Sequence, residues 1–117
     1  MFPPRAHLRE PVSIEARLIL PATIFTIIPC LMLDLSEGGA KVEIKVPYIL
    51  PPKLFLCWGG DEYLYECEPR WQEEDMAGLM FIDICTRSAR RSVLAKCANA
   101  TVLEPPPAKT KAAKVPA

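Results

Sequence analysis

The sequence predicts an all-β fold, a small sandwich or barrel, with one helix following the last strand. Three observations predict it. Apolar and polar residues alternate with period two in several segments. Turn residues separate those segments at regular intervals. A four-residue apolar repeat appears once, near the C-terminal end. The chain has 117 residues, the length of one domain with one modest core.

Residues 1–11 read as an extended arm, because Pro3, Pro4 and Pro11 resist helix and Pro3 and Pro11 push the residues before them out of helical geometry. From Val12, the residues Val12, Ile14, Ala16 and Leu18 alternate with Ser13, Glu15 and Arg17, which buries one face and wets the other. Pro21 marks a turn or bulge. Ala22 to Leu35 is rich in β-branched residues and reads as one bent strand, or two with a break at Pro29. Asp34-Leu35-Ser36-Glu37-Gly38-Gly39 is a turn in which two glycines permit positive φ. Ala40 to Val46 carries the cleanest alternation, with Ala40, Val42, Ile44 and Val46 inward.

Pro47 to Pro52 is a connection, Lys53 to Trp58 a strand, and Gly59-Gly60-Asp61 a hairpin turn. Tyr63 to Gln72 follows as a strand with Tyr63, Tyr65, Cys67 and Trp71 on one face, and Trp71 and Tyr65 are expected in the core. Glu73-Glu74-Asp75 turns the chain into a strand from Met76 to Cys85. Thr86 to Ala100 is the helix, with Ala89, Val93 and Cys97 at four-residue spacing and Thr86 or Ser88 as N-cap. This helix is expected to close one opening of the barrel. The domain therefore spans 12–103. Residues 104–117, with four prolines, three lysines and no aromatic residue, read as a disordered tail.

Composition narrows the function. Half the residues are apolar, 24% are charged and the formal net charge is zero, which argues against bulk nucleic-acid binding. The charge is segregated all the same: Asp61 to Asp75 holds seven acids and one base, and Arg87 to Lys114 seven bases and one acid. Such segments read as solvated surfaces, or as a polarised surface that orients a partner. Five cysteines, Cys30, Cys57, Cys67, Cys85 and Cys97, lack CxxC spacing and mostly sit in apolar runs. They read as reduced core thiols, which implies a cytoplasmic setting and no metal. The start of the chain lacks the apolar stretch of a signal peptide, and the run Ile27 to Leu33 is too short to span a bilayer. No catalytic constellation stands out: the lone His7 has no obvious nucleophile beside it, and there is no P-loop or HExxH. The protein is not expected to be an enzyme and no cofactor is expected.

Two segments carry the functional signal: Arg5-Ala-His-Leu-Arg9, and Asp34, Ser36 and Gly39 in the turn described above. Together they resemble the PilZ family, whose signature is RxxxR in an N-terminal loop followed by [D/N]xSxxG near a strand end. Cys67-Glu-Pro-Arg-Trp71 followed by Gly78-Leu-Met-Phe81 resembles the family's late hairpin. The resemblance covers residues 5 to about 85. It departs from the pattern at Pro4, where family arms often carry another base.

The resemblance implies a six-stranded antiparallel PilZ-like β-barrel with a C-terminal helix that binds cyclic di-GMP and acts on a partner protein by changing shape. It assigns the ligand to Arg5, Arg9, Asp34, Ser36 and Gly39. The residue chemistry suits such a ligand. Arginine pairs bidentately with phosphate or with guanine O6 and N7, and stacks on bases. In an extended arm, Arg5 and Arg9 stand up to roughly 13 Å apart, the scale of a dinucleotide. Asp34 can accept from the guanine N1–H and N2–H₂ edge, and Gly39 lets backbone approach closely.

Two alternatives stand beside this reading. One is a degenerate PilZ adaptor that binds no nucleotide, with Asp34, Ser36 and Gly39 forming a tight turn and nothing more, against which the intact motifs argue. A small barrel can instead bind single-stranded nucleic acid, but the aromatic strand Tyr63 to Trp71 is flanked by acids rather than bases.

Overall fold

In the computed structural model, which describes residues 10–60 and 62–104, the alternating segments form six strands that close on themselves. They are β1 (Glu10–Leu20), β2 (Thr26–Leu35), β3 (Gly39–Ile44), β4 (Leu54–Trp58), β5 (Tyr63–Glu73) and β6 (Met76–Ile84), followed by α1 (Arg87–Cys97) and a two-residue β7 (Thr101–Val102). The order β1-β4-β5-β6-β3-β2 is sealed by pairing of β1 with β2, and all six barrel pairings are antiparallel. Closure leaves only the ends of strands without partners. β7 adds in parallel to the start of β2, an element that the alternation did not signal because it is two residues long. β1 begins at Glu10, inside the segment read as the arm.

Alternation sends Ala16, Leu18, Leu20, Ile28, Cys30, Met32, Ala40, Val42, Ile44, Leu54, Leu56, Cys67, Ala77 and Leu79 into the barrel interior. A second cluster lies on the outer wall, where Ile19, Phe25, Ile27, Cys57 and Leu64 meet Val93 of α1. This is why β1 ends in three consecutive buried residues, Leu18, Ile19 and Leu20: its last turn of pleat is covered on both sides. The helix starts at an N-cap, where Thr86 Oγ1 accepts from Ala89 N at 3.2 Å. Of its apolar repeat, only Val93 is buried.

The expectation that the helix closes a barrel opening is therefore corrected. It packs on the side wall, and the far opening is covered by the Pro47–Pro52 connection, which inserts Leu50 into the inner core. Pro29 does not break β2. It lies between the part of β2 paired with β7 (through Ile27) and the part paired with β3 (from Cys30), so that side of the strand has no partner at Pro29 that needs its N–H. The hairpin glycines Gly59 and Gly60 are left-handed, with φ of 71° and 63°. Asp61 of the same turn lies outside the described residues.

All five cysteines are free thiols, three of them buried. Burial pushes Cys30 and Cys67 up from 9.0 to about 12. The folded state thus holds both as neutral thiols. Their contribution to stability is complete below pH 9 and is lost as the pH climbs from 9 towards 12. Urea midpoints measured across pH 7–11 are expected to show no loss from these thiols below 9 and a decline above it. A midpoint that did not move between pH 9 and 11 would contradict their protected state.

Candidate functional site

The starts of β1, β3 and β5 and the ends of β2, β4 and β6 meet at one end of the barrel. There the β2–β3 turn is organised by Ser36. Its N–H donates to Gly39 O at 2.9 Å, its hydroxyl donates to the same oxygen at 3.3 Å, and Ser36 Oγ accepts from Gly38 N at 3.2 Å. Phe81 N donates to Gly38 O at 2.8 Å, which ties the turn to β6.

The glycines here serve a purpose other than the one expected. Positive φ among glycines falls at Gly59 and Gly60, not in this turn. Gly39 is required because a Cβ would collide with the carbonyl oxygen of Leu79 on β6. The turn glycine is thus a condition of pairing β3 with β6.

Asp34 sits at the end of β2, half-buried, opposite Lys41 on β3 and Pro11 on β1. A register shift between Met32 and Asp34 re-aims this end of the strand. On the other side, Glu10 is the partner of Leu35. Glu10, the first described residue, therefore lies beside the Asp34–Gly39 segment. Arg5 and Arg9 themselves lie outside the described residues.

Next to the turn, on the outer wall, Ser36, Gly38 and Gly39 line a cleft of ≈ 390 Å³ with Arg70, Trp71, Gly78 and Met80. Trp71 was expected in the core. It is instead 42% exposed, because the register shift between Pro69 and Trp71 leaves Arg70 as an extra residue in β5 and breaks its alternation. Its partner across the strand is Gly78, and a Cβ at Gly78 would strike the indole Nε1. Gly78 thus lets the indole lie against β6. Arg70 extends along the same wall, with Nη1 3.6 Å from Met80 Sδ. A hydroxyl, exposed backbone, a guanidinium and an indole face are the set that recognises a flat base and an anionic linkage.

Arg70 and Trp71 are the functional candidates that sequence reasoning missed. Pro69 within the strand, with Gly78 across the hairpin from Trp71, was the available signal of a bulge.

Tyr65, the other expected core aromatic, is half-buried. Its ring stacks on Phe81 at 4.5 Å and on Trp58 at 5.5 Å, and the exposed Tyr63 stacks on Trp58 at 5.2 Å. Trp58, Tyr65 and Phe81 pack against the core at this barrel end with Val12, Ile14 and Leu35.

A larger groove of ≈ 750 Å³ on another part of the wall contains Glu15, Arg17, Pro29, Leu31 and Lys45, but no motif residue. Arg17 there donates to Cys57 Sγ at 3.3 Å and Lys45 pairs with Glu43 at 3.2 Å, so its cations are engaged within the fold. The smaller cleft is the better candidate on chemical grounds. Among the described residues no helix is long and apolar enough to cross a membrane. No family model matches the chain, and no match to it was found among curated proteins.

Proposed function

We propose that this chain is a PilZ-type receptor for cyclic di-GMP, a non-enzymatic cytoplasmic signalling protein that passes ligand binding to a partner protein. One observation carries the reading: Glu10 pairs with Leu35, so Arg9 is tethered one residue from the strand position between Asp34 and Ser36. Arg5 is four residues further back, within roughly 13 Å of Arg9 along an extended chain. In this reading the arm carries both guanidiniums to the Ser36–Trp71 cleft.

In the proposed complex, Arg5 and Arg9 pair with the phosphodiesters or the guanine edges. Asp34 accepts from a guanine N1–H and N2–H₂, Ser36 uses its remaining hydrogen-bonding capacity, and the Gly39 backbone allows close approach. Arg70 and Trp71 offer a second cation and a stacking face. Ordering the arm costs entropy, offset by charge-assisted hydrogen bonds of about 1.5–3 kcal/mol each. Binding joins the arm and the barrel wall into one composite surface, which is what a downstream protein would read.

The test is calorimetric titration of the full chain with cyclic di-GMP, with amide shifts followed by NMR. Saturable heat is expected, with the largest shifts in Ser36 to Gly39 and Gly78 to Phe81. Neither heat nor shifts at millimolar nucleotide would leave the adaptor reading. That second reading has an observation of its own: Ser36 and Gly39 each serve the turn and the β3–β6 contact without any ligand.

A further inference from the structure

The Pro47–Pro52 connection does more than cover the far end of the barrel. Gln72 of β5 grips it with both ends of its side-chain amide: Leu50 N donates to Oε1 at 3.1 Å, and Nε2 donates to the carbonyl of Tyr48. Leu50 is buried beneath, and Pro47, Pro51 and Pro52 restrict the backbone on either side. Between these anchors Ile49 is held outward at 88% exposure, beside a 38%-exposed Tyr48. A lone exposed isoleucine is ordinary, but one fixed in place by an amide clamp and three prolines forms a rigid apolar knob.

The knob has acidic neighbours. Gln72 leads directly into Glu73, Glu74 and Asp75, all exposed, and Asp75 O accepts from Ile44 N at 2.7 Å just before the loop begins. These three carboxylates make no ion pair among the described residues. The flanking lysines are occupied, Lys45 with Glu43 and Lys53 with Glu66.

The same molecule carries an apolar groove of the opposite charge. On the outer face of α1, Leu94 and Ala95 line a groove of ≈ 470 Å³ together with Arg87, Arg90 and Arg91. The helix has four cationic residues and no acidic one. An apolar knob flanked by three carboxylates matches an apolar groove flanked by arginines in both polarity and charge. We propose that the far end of one molecule, led by Ile49, docks on α1 of a second copy.

The contact is heterologous, so it closes into a ring or grows as a chain. It does not depend on the nucleotide reading. It gives a function to the segregated charge of a chain whose net charge is zero.

Sedimentation velocity of the full chain tests it. Wild type is expected to show an average mass that rises with concentration in 50 mM salt, and Ile49→Asp to weaken association tenfold or more. Glu73→Lys with Glu74→Lys makes both faces basic, and Arg87→Glu with Arg91→Glu makes both acidic. Each double variant alone is expected to be monomeric, and an equimolar mixture to associate again. Adding Ile49→Ser to both members of the mixture should dissolve it. Wild type that stays monomeric throughout overturns the proposal, whether its own lysine-bearing C-terminal segment covers the acidic tip or nothing does. A mixture that persists with Ile49→Ser also overturns it, because bulk charge attraction would then suffice. Circular dichroism of each variant verifies folding, since all these positions are on the surface.

Discussion

Replacing Gly39 with valine will remove a large part of the barrel's stability. The Cβ position at Gly39 is occupied by the carbonyl oxygen of Leu79, and that carbonyl belongs to a strand paired on both sides. It cannot yield without disturbing β3–β6 and β5–β6 together. Overpacking of this kind costs about 1–3 kcal/mol for an added methyl in a well-packed site, and more for a branched side chain. A domain of this size has about 5–15 kcal/mol in total. Alanine should therefore lower the urea midpoint clearly, and valine should leave the chain largely unfolded at 37 °C. Gly60→Ala is the control. It has open space but a φ of 63°, so its cost is conformational alone, about 1 kcal/mol. Equal effects at the two positions would show that the β3–β6 approach is softer than the geometry indicates. The result also bears on the site: lost ligand binding in a Gly39 variant reports folding, not contact.

Arg9→Ala is the variant with the largest expected effect on binding. Arg9 immediately precedes Glu10, the residue paired with Leu35, so of the two arginines it needs the less ordering of chain in the proposed complex. Loss of one charge-assisted hydrogen bond of about 1.5–3 kcal/mol weakens binding about 10- to 150-fold. Calorimetry of the variant against wild type reads this directly, with the urea midpoint unchanged. Trp71→Ala should weaken binding less, by the value of one stacked base, about 1–3 kcal/mol, and should abolish any quenching of indole fluorescence by the nucleotide. Wild-type affinity in Arg9→Ala would remove the arm from the site, even if the barrel still bound the nucleotide.

Much of the fold was legible in the residues because alternation is a one-strand property. Ala40, Val42 and Ile44 face the interior in the structure as they do in the pattern, and Thr86 caps the helix where a threonine precedes an apolar repeat. The reading failed where a neighbour decided. Counting in twos from Tyr63 puts Trp71 on the face of Tyr65 and Cys67, but one extra residue in β5, Arg70, shifts the count and puts the indole over Gly78 on the outer wall. The apolar repeat of the helix shows that it packs on the barrel but not where. Its destination was set by Ile19, Cys57 and Leu64, residues on three different strands.

The sequence by itself determined that this chain makes short amphipathic strands, where they turn, and that a glycine and a serine organise the bend before β3. Those are local facts, written in side-chain period and backbone preference. Only the tertiary structure decided that β1 begins beside that bend, that Gly39 is small for the sake of Leu79, and that Arg70 and Trp71 share a cleft with Ser36. These depend on strand order and register, which arise from burying all six strands at once around one interior, and no single segment encodes them.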